Sequence, residues 1–149
     1  MRKSFKFTIV ALIVALLVTG IIGTFIFAYI NRQSIDITSN WSIKLPYPDK
    51  VVYSMDNIGW FGEGETYRIF QYQDNKKIIK SLEWNNGSNT SMESEVLKII
   101  ESLGVSEENI PNFQDSYKYF IKIEKDDNST IYFIYFDDIK RLYIIENIF

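Results

Sequence analysis

Residues 7–30, FTIVALIVALLVTGIIGTFIFAYI, run for 24 positions without one charged side chain. A helix rises about 1.5 Å per residue, so the run covers roughly 36 Å against a hydrocarbon core of roughly 30 Å. It is apolar on all sides, which suits lipid and not the surface of a soluble domain. The run therefore predicts a single transmembrane helix, with its surplus length taken up by tilt. Arg2, Lys3 and Lys6 precede it, whereas only Arg32 follows closely, with Asp36 just beyond. Basic residues stay on the cytoplasmic side, so the expected topology is N-terminus inside, C-terminal part outside the cell membrane. Tyr29 falls where an interfacial aromatic would anchor the outer end. A cleaved signal peptide would begin the same way, but its apolar region is usually about 7–15 residues. Val18-Thr19-Gly20 and Ile26-Phe27-Ala28 are poor cleavage motifs. A retained signal-anchor is the expectation.

The span divides the chain unequally. Residues 1–6 form a basic cytoplasmic tail, 7–30 the span, 31–40 a short polar linker and 41–149 an extracytoplasmic domain. Fully extended, the linker would reach about 33 Å at roughly 3.3 Å per residue, which keeps the domain near the bilayer. Residues 31–149 carry all 19 acids and 13 of the 16 bases, a net of −6. Such a domain lacks the basic patch that nucleic acid requires. The cluster Lys76, Lys77 and Lys80 reads as the solvated face of a helix. Abundant Ile, Lys and Asn, with 24 Ile, point to a bacterial source with an AT-rich genome.

The chain has neither Cys nor His. Disulfides, thiolate nucleophiles and imidazole bases are absent, and with them Ser-His-Asp and Cys-His catalysis. Most zinc and haem sites lose their ligands too. No cofactor and no metal ion is expected. Gly62 and Gly64 are not followed by the Lys and Ser/Thr of a P-loop, and there is no G-x-S-x-G elbow.

Hydropathy patterning predicts an α+β domain, its small antiparallel sheet of about five or six strands in the order βββααβββ covered on one face by two helices. Strands are expected at 41–45, 50–56, 65–73, 116–125, 130–137 and 142–149, the second and third forming a hairpin with a long loop. TIYFIYFD (130–137) is apolar on both faces, as a central strand would be. A short helix is expected at 75–84 after Asp74-Asn75. A longer one is expected at 91–103, opened by a Thr90/Glu93 capping box and closed by Gly104. Asp126 to Ser129 reads as a turn.

Several groups stand out as candidate sites. Trp60 and Phe61 lie between glycines in the loop Asp56–Glu65. Bulky apolar residues there either fold over the sheet as a lid or contact a sugar ring, a protein or the bilayer interface. Asp56, Glu63 and Glu65 supply carboxylates nearby. Two such groups are the chemistry of a glycosidase, and several oxygens can hold Ca²⁺, although the spacing matches no EF-hand loop. In the span, Ala11, Ala15, Thr19 and Gly23 recur at every fourth position, with Gly20, Thr24 and Ala28 parallel to them. Small residues so placed let two helices approach, which would make a homodimer or a docking face for another membrane protein. The N-x-[ST] matches at Asn40, Asn86, Asn89 and Asn128 reflect a chain rich in Asn and Ser.

The function expected from these features is that of a single-pass, membrane-anchored, non-catalytic binding or accessory module. Its expected partners are the lipid bilayer, through residues 7–30, and a protein at the membrane surface. The alternative is a surface carbohydrate-binding or carboxylate-based hydrolytic protein using the 56–65 loop.

Overall fold

A computed structural model describes the backbone of residues 2–149, with side chains at 11–28, 32 and 36–149. Arg2, Lys3, Lys6 and Tyr29 lie outside the described side chains. The chain divides into two compact units, residues 1–47 and 48–149.

The first unit is built on one long helix, α1 (Arg2–Trp41). At about 1.5 Å per residue it measures roughly 60 Å. Its Ala11–Ala28 window has a mean hydropathy of 2.6 and is fully exposed, long and apolar enough to cross a membrane. The Thr19 and Thr24 hydroxyls donate back to carbonyls of the preceding turn, to Ala15 and to Ile21 at 3.0 and 2.7 Å. That satisfies each hydroxyl without a partner from outside the helix. The segment expected to be a polar linker continues the helix. Ser42 then leaves it with a left-handed φ of 53°.

No strand forms at 41–45. Trp41 completes α1, and residues 42–48 join no ladder. Alternating Trp41, Ile43 and Leu45 resemble a strand, but Trp41 is taken by the helix and Ser42 turns out of it with positive φ, which an extended ladder does not accommodate.

The second unit contains one six-stranded antiparallel sheet. Its strands are β1 (Lys50–Asp56), β2 (Gly64–Gln71), β3 (Asn85–Asn86), β4 (Lys118–Ile123), β5 (Thr130–Phe136) and β6 (Arg141–Ile148). Across the sheet they run β1-β2-β6-β5-β4-β3. β2 and β6 pair along their whole lengths, from Gly64↔Ile148 to Gln71↔Arg141, which brings the two ends of the domain together at its centre. β5 is buried on both faces, as its apolar sequence requires. The four-residue α2 (Lys76–Ile79) and α3 (Thr90–Leu103) complete the unit, with a 3₁₀ turn at Glu107–Asn109.

The helix α3 buries Met92, Val96, Ile99, Ile100 and Leu103 against Tyr67 and Ile69 of β2, Ile134 and Phe136 of β5 and Tyr143 and Ile145 of β6. Asn89 caps it: the Asn89 side chain accepts from the Met92 N–H at 3.0 Å, and Glu93 accepts from the Asn89 N–H at 3.2 Å. The reciprocal pattern expected of Thr90 and Glu93 thus starts one residue earlier, because Asn89 is the residue with extended backbone. Gly104, with φ 67°, ends the helix as expected.

Alternation places Phe70, Phe133, Tyr135, Leu142 and Ile144 on the other face, where they are also buried. Trp84 lies tilted against Tyr135, their ring centroids 6.0 Å apart, and donates through Nε1 to the Ile78 carbonyl at 3.2 Å. The α2 segment therefore belongs to the face opposite α3, and the two helices do not share one face as expected. Hydrophobic spacing shows that a helix has an apolar side; it does not show which side of a sheet receives it.

Five tyrosines in this core resist ionisation. Burial raises Tyr67, Tyr72 and Tyr132 above the ordinary phenol value and pushes Tyr135 up to about 12. Tyr117 also reaches about 12, chiefly through burial and then through its hydrogen bond to the Glu93 carboxylate.

Candidate functional site

The β1–β2 hairpin closes on a loop clamped at its neck. Asn57 N–H donates to the Glu65 carbonyl at 3.0 Å, and Glu65 N–H donates to Asn57 Oδ1 at 2.6 Å. Farther out, Gly59 N–H reaches the Glu63 carbonyl at 2.7 Å and Gly62 N–H the Gly59 carbonyl at 3.2 Å. Gly64 makes the neck possible. Its φ is 138°, and a Cβ there would sit 2.9 Å from the Asn57 carbonyl oxygen and 2.9 Å from Ile58 Cα. Only glycine permits that backbone and that approach.

The clamp leaves the tip outside any core. Trp60 is 95% exposed and Phe61 91%. The lid reading is thereby overturned: neither ring folds back on the sheet.

The acids of the same loop are not gathered around the rings. The Glu65 carboxylate accepts from Asn57 Nδ2 at 3.3 Å and from the Ser102 hydroxyl of α3, so it ties the loop neck to the helix. Glu63 turns its carboxylate over Gly59, where an added Cβ would lie 2.6 Å from Oε1. Asp56 ends β1 on the surface. Among the described residues no three acidic groups gather closely enough to hold a metal ion.

A cleft of about 480 Å³ lies elsewhere, lined among others by Asn86, Ser88, Phe113, Tyr117, Lys118 and Asp137. It sits where β4 begins and β5 ends, at the opposite end of the sheet from the hairpin tip. Lys118 and Asp137 pair across its wall, and Asp137 Oδ1 is buried without a hydrogen-bond partner among the described residues. The linear pattern marks none of this, because the lining comes from three separate connections.

The small residues of α1 remain open. A side chain added at Gly20 or Gly23 would meet nothing within 4 Å, and the Ala11, Ala15, Thr19 and Thr24 positions are exposed.

The structure adds residues that alternation alone did not single out. Ile123, which ends β4, is 60% exposed, and Phe149, which follows β6, is 68% exposed. A period of two assigns faces, but it does not say which strand ends meet at one edge of the domain.

Comparison of the chain with protein-family models, with curated proteins and with solved structures gives no match. The class supported by the fold alone is a small α+β domain on a chain with one helix long enough to span a membrane.

Proposed function

We propose that the protein is a single-pass, N-in membrane protein whose outer domain is a non-catalytic binding or accessory module, with Trp60 and Phe61 as its contact element. One observation carries the reading: two large aromatic side chains stand 95% and 91% exposed on a loop whose neck is bridged by hydrogen bonds. Aromatic side chains left in water are the usual anchors of recognition surfaces, because they offer large apolar area with few rotatable bonds. Clamping the neck lowers the ordering cost of contact.

The hydrolytic alternative has less support. Glu65 is committed to Asn57 and Ser102, and the cleft is at the far end of the sheet. Cross-linking and recovery of the intact anchored chain from membranes tests the proposal. The Trp60→Ala/Phe61→Ala variant should lose the contacts of the native chain while keeping its fold. Unchanged contacts would remove the tip from the function. Loss of a hydrolytic activity in Glu63→Gln would favour the alternative.

A further inference from the structure

The register of the sheet brings five apolar side chains to one end of the domain. Gly64 pairs with Ile148, Thr130 with Asn147, and Ile123 with Thr130. The loop after β1, the end of β4 and the residue after β6 therefore share that end. Ile58, Trp60, Phe61, Ile123 and Phe149 are all exposed there. Strands lie about 4.8 Å apart, so the three steps from β2 to β4 spread these groups over about 14 Å.

We propose that this end of the sheet inserts its apolar side chains into the headgroup–acyl boundary of the bilayer that holds α1. The inference deepens the reading of the hairpin tip as a binding element and rests on it. Trp60 and Phe61 stand 95% and 91% exposed, which suits a soft apolar medium that needs no matching surface. Trp and Phe suit that boundary, where apolar side chains sink about 5–10 Å. Residues 29–41 continue α1 and only 42–49 join it to β1, so the domain is held on the same chain as the span and a weak partition suffices. The charges around the patch set the lipid it prefers. Asp56, Glu63, Asp126 and Asp127 lie on the same end, with Lys125 among them. Anionic headgroups repel such a rim, whereas zwitterionic ones do not.

The absence of native cysteine allows a direct test. Asp126→Cys places a fluorescent label on the apolar end, and Asp138→Cys places one on the opposite end, both at exposed positions. The full chain is reconstituted into phosphatidylcholine vesicles containing spin-labelled lipid. The label at 126 should be quenched and blue-shifted, and the label at 138 should not. Trp60→Ala/Phe61→Ala should lower the inserted-to-free ratio reported at 126 by about tenfold or more. Replacing part of the lipid with phosphatidylglycerol should weaken quenching. Equal quenching at both labels, none at either, or stronger quenching with the anionic lipid overturns the proposal. If lipid quenching is absent but the double variant loses a protein cross-link, the bilayer is the wrong occupant and the tip remains a binding element. If the double variant changes neither readout, both readings fall.

Discussion

Arg68 of β2 donates its guanidinium to the carboxylate of Glu146 on β6, one diagonal step across the central strand pair. The Glu146 side chain is 2% exposed and that of Arg68 14%. Thr66 donates its hydroxyl to the same carboxylate, and Arg68 also contacts Thr66 Oγ1 at 3.1 Å. A polar triad thus sits on a sheet face that is otherwise Phe70, Leu142 and Ile144. Removing one member strands a buried charge. Glu146→Ala should therefore cost about 3–5 kcal/mol in urea unfolding, while the double change Arg68→Met/Glu146→Leu should recover most of that loss. A single variant that loses under about 1 kcal/mol would show that the pair is solvated in solution.

The hairpin separates stability from contact. Gly64→Ala forces a side chain into the positive-φ neck beside Asn57 and Ile58, and should cost about 1–3 kcal/mol. Trp60→Ala and Phe61→Ala touch no core and should stay within about 0.5 kcal/mol of the native protein. Thermal unfolding of the three variants checks this. A large loss in Trp60→Ala would mean that the ring packs on the domain after all.

Capping sets a finer test of register. Asn89→Ala should cost about 1 kcal/mol because it leaves the Met92 N–H without its acceptor. Thr90→Ala, inside the first turn, should cost little. The reverse order in chemical denaturation would return the cap to Thr90.

Alkaline pH should unfold the domain through its tyrosines. An unfolded tyrosine ionises near 10, whereas Tyr117 and Tyr135 hold their protons to about 12, and Tyr67, Tyr72 and Tyr132 are raised as well. Above pH 10 the unfolded chain releases protons that the folded chain keeps. Stability is thus intact below about pH 10 and falls as pH rises through the folded values. Following tyrosinate absorbance with circular dichroism should show a late group of the ten tyrosines titrating together with loss of structure. Titration of all ten near pH 10 with the fold retained would contradict the burial.

Much of this architecture was readable from short-range pattern. The all-apolar TIYFIYF announced β5 as a central strand, the spacing of Met92, Val96, Ile99 and Leu103 announced α3, and glycine density announced the hairpin loop. What escaped depends on long-range geometry. Trp41 and Ile43 alternate like a strand but fall on a helix end and a Pro-flanked segment. The sides taken by α2 and α3 follow from packing, not from their own periodicity. The site was half legible: Trp60 and Phe61 were visible as loop aromatics, whereas their company with Ile123 and Phe149 arises only from strand register. A lone acid in LYIIENIF, matched by a lone Arg in TYRIF, was a signal of the Arg68–Glu146 pair that hydropathy alternation passes over.

The helix α1 does not stop where its apolar window ends at Ala28 but continues to Trp41. That continuation is a stiff lever of about 20 Å. Seated in a bilayer, the span answers a change in membrane thickness by tilting, and a tilt of about 20° would swing the lever's far end by about 7 Å. In a bilayer such a helix would convert lipid thickness into displacement, and a probe at Thr38 compared between thin and thick bilayers would read that movement directly.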